Sequence, residues 1–423
     1  LPVVLDLPRQ RIVSILALAA ACLLALAGCG GDAPADDGEV AGTRLTIYSS
    51  MPLEGAQRAA AVDVVRAQRL ALREAGPDIG RYEVDLVSLD AATAEERRWE
   101  PAQVSENARR AAKDPAAIAY VGEFDFGASG ISIPLLNEVG LLEVSPLDTA
   151  MGLTTPNVAI PDSPRKYYPK LREFGRTFAR VVPSDRAQVT AQLRYMEREG
   201  VQRLVLLTDE DPLGIGFESV MRARARVHGV AVVGQSQVDP REQEPRELVA
   251  EVLARRPDAV FYAGAAHDGI VRLWQELAAA DPSLKLFALG ALVDAPFAEA
   301  VGDAARGIRV TRPVLPLAAY PREAQRMARA FERTYGYEPA PEALYGYEAM
   351  SAVLSAIHRA TSTIGERPLT RADVVREFFA TDRRRSVLGP YAIDADGDTS
   401  MRRFGAYRLG PAGELRYVGA LEG

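Results

Sequence analysis

Few side chains of this chain could carry covalent chemistry. It has two cysteines, Cys22 and Cys29, and three histidines, His228, His267 and His358. With no cysteine after residue 29, thiol catalysis, cysteine-based metal sites and disulfides are excluded from the body. The histidines lack ligand spacing and read as surface or helix-end residues. There is no Gly-x-Ser-x-Gly elbow, no His-Glu-x-x-His and no phosphate-binding loop. Asp211-Pro-Leu-Gly214-Ile-Gly216 opens like a dinucleotide fingerprint, but Ser219 stands where its third glycine belongs, so it reads as a tight turn. No enzyme and no cofactor are expected. What remains is a set of acids, Asp125, Asp148, Asp211, Asp268 and Asp294, each in a loop after an expected strand. Open α/β sheets bind ligands there; each acid alone suits a helix cap or a solvated loop better, and only together do they leave room for an amino-bearing ligand.

The elements that would position these acids begin after a distinct N-terminal segment. Arg9 and Arg11 precede an apolar run, Ile12 to Gly28, which is too short and Ala-rich for a bilayer span of roughly 20 strongly apolar residues. Basic start, apolar middle and small-residue end are the layout of an export signal, expected over residues 1–28. Leu26-Ala27-Gly28-Cys29 resembles the lipobox of bacterial lipoproteins, which implies lipidation at Cys29. Residues 29–43, rich in Gly, Ala, Pro and acid, are expected to form a flexible tether. The chain is therefore expected to be exported and lipid-anchored, at the outer face of the cell membrane or in the periplasm. A net charge of −7 argues against nucleic acid as a partner.

From Arg44, short aliphatic runs alternate with amphipathic helical patterns, the mark of an α/β parallel sheet. Strands are expected at 45–48, 82–89, 118–121 and 141–144, with helices at 54–75, 95–113 and 127–139. A second series follows Pro183, with helices at 186–199, 214–227, 244–254 and 269–280. Its strands are expected at 204–207, 230–234, 259–262 and 286–289. Three helices near 321–335, 341–360 and 370–380 come next, then a short β tail around 391–393, 404–409 and 415–418. Roughly 380 residues exceed one ordinary core, so two lobes are expected. Pattern alone leaves open whether the three helices form a third domain or return to the first lobe.

Several segments, in order and spacing, resemble the leucine/isoleucine/valine type of periplasmic binding protein. They include Val121-Gly122, Gly127-Ala128-Ser129, Ile133-Pro134, Asn137 to Leu142 and Val144-Ser145-Pro146. Further on come Phe178 to Asp185, Arg203 to Leu207, Pro257 to Val260 with Gly264, Tyr345 to Met350 and Gly389-Pro390-Tyr391. The resemblance implies a type I fold: two lobes, each a mostly parallel sheet flanked by helices, joined by three crossovers around a ligand cleft. It places the crossovers near 180–184, 311–314 and 388–391. The first lobe is then 44–182 with 314–388, and the second 183–313 with 389–423. It further implies capture of a small amino-acid-like or carboxylate-bearing ligand for an ABC permease, or, as an alternative output of the same fold, sensing through a membrane partner.

Binding is expected from Phe124, Asp125, Phe126, Gly127, Ala128, Leu147, Asp148, Thr149, Leu213, Ala265 and Asp294. Free N–H groups at the helix beginning near Gly127 would favour a carboxylate. The resemblance places the Thr149 hydroxyl on that carboxylate, although a plain helix cap also suits it. Departures are equally informative. Phe126 replaces a carboxylate-binding Ser, Leu213 a Tyr and Ala265 a covering aromatic. The acid that would hold a ligand ammonium falls on Gly290, with Asp294 nearby. A buried ammonium without a counter-charge is costly, so a simple branched-chain amino acid does not follow. Phe124 and Phe126 suit either a ring-bearing ligand or a filled cleft. Small groups at 265 and 290 would widen it.

Overall fold

A computed structural model describes residues 38–423 apart from 94–98, 126, 210, 240, 242–244, 265, 291, 292, 294, 411 and 412. The export signal, Cys29, and most of the expected tether lie outside the described residues, as do Phe126, Ala265 and Asp294.

The first sheet comprises β1 (Arg44–Met51), β2 (Asp78–Ile79), β3 (Tyr82–Asp90), β4 (Ala117–Val121), β5 (Leu142–Ser145) and β6 (Phe178–Arg180). Its order is β2-β3-β1-β4-β5-β6, parallel throughout except for the β2–β3 pair. All five residues of β4, Ala-Ile-Ala-Tyr-Val, are buried, as expected of a parallel strand covered on both faces.

The second sheet comprises β7 (Arg203–Thr208), β8 (Ala231–Gln237), β9 (Ala259–Ala263), β10 (Lys285–Leu289), β11 (Arg309–Arg312), β12 (Arg403–Leu409) and β13 (Leu415–Glu422). Its order is β13-β12-β11-β10-β9-β7-β8, with β12 and β13 antiparallel at one edge.

The helices Arg322–Tyr335, Ala343–Thr363 and Arg371–Phe379 bury Phe331, Tyr345, Met350, Ile357 and Phe378 in the same core as β1 and β4. They therefore return to the first sheet rather than forming a third domain. The approach of Ala343–Thr363 to the helix Arg58–Ala75 depends on Gly346. A Cβ there would stand 2.6 Å from the Val64 carbonyl oxygen, closer than any packed side chain. The last helix carries a capping box, Thr370 bonding the Asp373 amide and Asp373 bonding back, which satisfies two otherwise orphaned donors.

Two expected boundaries are corrected. The tether does not run to residue 43, because the chain is held from Gly38 onward. The Arg371 amide donates to the Gly38 carbonyl at 2.9 Å, the Val40 amide donates to Leu369 at 3.0 Å, and Val40 is buried. The third crossover does not lie at 388–391 either. Leu388, Tyr391 and Ile393 are buried with the first sheet, and the Arg180 amide donates to the Gly397 carbonyl at 2.9 Å. Fully buried Arg180 then holds Asp398 by a 2.7 Å ion pair. The chain leaves the first sheet only between Thr399 and β12. Gly-Pro-Tyr, which resembles a crossing strand, instead aims the Tyr391 hydroxyl at buried Glu348, 2.8 Å away.

Candidate functional site

Both sheets end at a common cavity of about 490 Å³. One wall is built by the turns after β4 and β5. Glu123 is anchored inward, accepting from the Tyr120 hydroxyl at 2.6 Å and the Ser50 hydroxyl at 3.0 Å. This leaves Phe124 and Asp125 on the cavity side, where Gln57 Nε2 donates to Asp125 at 2.7 Å. Ser145 Oγ ties the two turns together, donating to the Glu123 carbonyl at 2.7 Å and accepting from the Asp148 amide at 2.8 Å. Leu147 and Thr149 line the cavity beyond it.

The opposite wall begins at the helix Asp185–Arg198, whose Asp185 and Gln188 line the cavity. Gln188 Nε2 donates to the Thr311 carbonyl at 2.8 Å, which fixes the end of β11 against this helix. Leu213 follows Asp211, an N-cap that accepts from the Leu213 amide at 2.8 Å. Leu289, Gly290, Val293, Thr311, Arg312, Pro313, Val314 and Glu342 also line it.

Of the expected site residues, Phe124, Asp125, Leu147, Thr149 and Leu213 meet at this cavity. Three others do not line it. Ala128 is fully buried, and Gly127 faces Trp99 on the far side of the turn, in a neighbouring cavity. Asp148 is turned inward. Its Oδ2 accepts from the Ser129 amide at 3.1 Å and its Oδ1 from the Ala150 amide at 3.0 Å. The helix start expected to receive a ligand carboxylate thus already holds one, and the dipole and free donors that would attract an anion act on Asp148.

His267 is a helix end, its Nδ1 accepting from the Ile270 amide at 3.2 Å. In the basic run 383–385, Arg384 is not exposed. It forms a 2.6 Å ion pair with Glu348 and donates to Ser351 and Ser355.

Sequence reasoning missed Gln57, Asp185, Gln188, Thr311, Arg312 and Glu342 as lining residues. An acid at a helix start reads as a solvated cap, and nothing in Ser184-Asp185 signals burial. Yet Asp185 is only 3% exposed, and burial pushes its carboxyl up to about 7, with the nearby Asp148 charge adding to the rise. The Thr149 hydroxyl, the Arg180 guanidinium and the Met151 amide oppose it. Among the described residues its Oδ2 has no hydrogen-bond partner, and neither has Gln57 Oε1. Both atoms are closed to solvent, and both residues line the cavity, so a small movement of the wall would bring either within reach of a polar group of a ligand. Behind this wall, burial also raises Glu123 to about 8 and lifts Glu143 well above the usual carboxylate range.

Two α/β lobes joined by three crossovers around a lined cavity define a ligand-binding protein of the two-lobed periplasmic type. Residues 49–413 match the family described as Periplasmic binding protein, and the chain belongs to it. Among solved structures, a leucine-binding protein from Thermotoga maritima is similar, with 21% identity, a TM-score of 0.67, and coverage of 89% of this chain and 99% of that one. So is an ABC-transporter solute-binding protein from R. palustris in complex with benzoate, with 18% identity, a TM-score of 0.62, and coverage of 90% and 96%. A branched-chain amino acid substrate-binding protein from Streptococcus pneumoniae, in complex with isoleucine, has 16% identity, a TM-score of 0.65, and coverage of 90% and 99%. At such identities the likeness is one of fold. No curated protein matches the chain in sequence. Among the described residues, no helix is long and apolar enough to cross a membrane.

Proposed function

We propose that this chain is an extracytoplasmic solute-binding lipoprotein. It captures a small amino-acid-like or carboxylate-bearing ligand between its lobes and delivers it to an ABC permease. The observation that carries this reading is the cavity itself. Its volume of about 490 Å³ suits a metabolite-sized ligand. Its walls combine apolar side chains with two polar residues, Asp185 and Gln57, whose Oδ2 and Oε1 have no partner among the described residues. Capture needs no catalysis, since closure of the lobes with differential affinity for the closed state is sufficient. The membrane attachment is assigned to a lipid on Cys29, preceded by a cleaved signal.

The experiment is a thermal-shift screen of the purified chain against amino acids, their amides, aliphatic acids and aromatic acids. A ligand at a hundredfold excess over its dissociation constant stabilises by about 2.7 kcal/mol. No shift across the panel would refute the capture reading. For the anchor, Cys29→Ser should move the protein from the membrane fraction to the soluble one.

A further inference from the structure

The cavity contains a cation where the resemblance to leucine-type proteins implies an acid. Gly290, the position of that acid, follows β10, and Arg312 ends the neighbouring strand β11. Both residues line the cavity. A Cβ on Gly290 would lie 2.5 Å from Arg312 Cγ and 2.8 Å from the Thr311 carbonyl oxygen. The arginine stem therefore occupies the space that a side chain at 290 would take. Glycine at 290 and arginine at 312 form one coupled arrangement, not two independent changes.

The guanidinium beyond that stem is only lightly engaged. Its side chain is 38% exposed, and its partner is Glu342, through a single Nη2–Oε1 contact at 3.3 Å. A guanidinium presents five donors in a planar fork matched to a carboxylate, and among the described residues only one of them is engaged, on a residue that lines the cavity. The other anion-favouring position, the start of the helix Ser129–Asn137, already holds Asp148. Apolar groups, among them Phe124, Leu213, Leu289 and Val293, surround the space in front of Arg312.

We propose that Arg312 is the anion-recognising residue of this cleft. Its guanidinium takes the carboxylate of a small ligand with an apolar body, and Glu342 holds the fork in place until the ligand carboxylate displaces it. This rests on the reading of the cleft as a solute site. The ligand's charged end then points at the second lobe, opposite to the orientation that a carboxylate at the first-lobe helix start would impose.

The test uses the full chain and calorimetric titration with p-hydroxybenzoate, isocaproate and L-leucine, each beside its primary amide, which lacks the carboxylate charge. At least one carboxylate should bind while its amide binds at least about tenfold more weakly. Arg312→Gln should weaken the carboxylate by at least about thirtyfold, as loss of charge-assisted hydrogen bonds predicts. Glu342→Gln should strengthen it several-fold by removing the competitor, an opposite effect that a merely structural arginine would not produce. If Arg312→Gln fails to fold, the amide comparison and Glu342→Gln still decide. Amides binding as well as acids, or either variant leaving carboxylate affinity within twofold, would overturn the assignment while leaving solute capture intact. Binding by none of the six compounds would overturn the assignment together with the capture reading on which it rests.

Discussion

Asp185 offers the most direct test of the electrostatics of the cleft. Its carboxyl is raised from 3.8 to about 7, chiefly by burial. At roughly 1.4 kcal/mol per pH unit, that rise corresponds to about 4 kcal/mol. The sign follows from the direction. A carboxyl that holds its proton more tightly folded than unfolded leaves stability intact below its unfolded value and removes it as pH climbs through its folded value. The folded state should therefore lose up to about 4 kcal/mol between roughly pH 4 and pH 7 on account of this one group. Asp185→Asn keeps the shape of the neutral acid and cannot ionise. Urea unfolding of both proteins across this range isolates the effect, because Glu123 and Glu143 titrate alike in both and cancel in the difference. The two should be similar near pH 4, and the variant should be more stable by several kcal/mol at pH 8. Curves that run parallel across the range would show that Asp185 ionises normally and that solvent reaches Oδ2. A variant that is less stable at pH 8 would show that Arg180 and the helix start outweigh burial.

Other parts of the structure make separate claims. Thr149→Val removes a hydroxyl that favours the charged form of Asp185, so the pH-dependent loss of stability should begin at the same pH but continue to a higher one and become larger; an unmoved profile would separate the two residues. Asp398→Ala strands the fully buried Arg180 guanidinium and should cost about 3–5 kcal/mol by urea unfolding, whereas a cost below about 1 kcal/mol would mean that the pair is solvated. Gly346→Leu forces a side chain against the Val64 backbone and should destabilise by about 3 kcal/mol or prevent folding, while an unchanged denaturation midpoint would refute the close helix approach.

Most of the fold was legible because parallel strands covered on both faces are nearly continuous apolar runs. Ala117–Val121, Leu204–Leu207 and Ala259–Tyr262 are buried throughout, and the amphipathic runs between them become helices. Strands β6 and β11 were not legible from apolar pattern, because Arg180, Arg309 and Arg312 interrupt it. Two of these charges are satisfied by distant partners, Arg309 by Glu199 at 2.7 Å and Arg180 by Asp398, which no local window reveals. The third crossover was misplaced for the same reason, since the partners that hold residues 388–399 to the first sheet lie far away in sequence.

The candidate site was legible in part, and the limit is one of direction. Asp148 and Asp185 are both acids beside a turn or helix start, and local sequence does not distinguish them. One points into the fold and accepts two amides; the other belongs to the cavity wall and has a buried oxygen without a partner among the described residues. Backbone turns decided the difference: Ser145 clamps the amide of Asp148, and the Thr149 carbonyl accepts the amide of Asp185 at 2.9 Å.

These placements bear on the charge pattern as a whole. The resemblance to leucine-type proteins implies a ligand carboxylate at the first-lobe helix start and an acid on the second lobe. Here the helix start holds Asp148, and the second-lobe position holds the stem of Arg312 over Gly290. A cleft that had simply lost its ligand would be expected to fill with apolar side chains, because an unengaged charge or buried acceptor costs stability without return. Instead, among the described residues, it keeps a guanidinium with one long contact and two buried oxygens without partners. On the proposed reading the two departures are complementary: the anion site has moved from backbone amides on one lobe to a side chain on the other. A ligand with a carboxylate toward Arg312 and a donor toward Asp185 would engage both, whereas a plain hydrocarbon acid would engage only the first and leave Asp185 protonated. Binding of a plain acid should therefore take up protons near pH 7, and binding of an amino acid should release them. Calorimetry in buffers of different ionisation enthalpy reads the sign directly, and the same sign for both ligand types would remove Asp185 from the binding site.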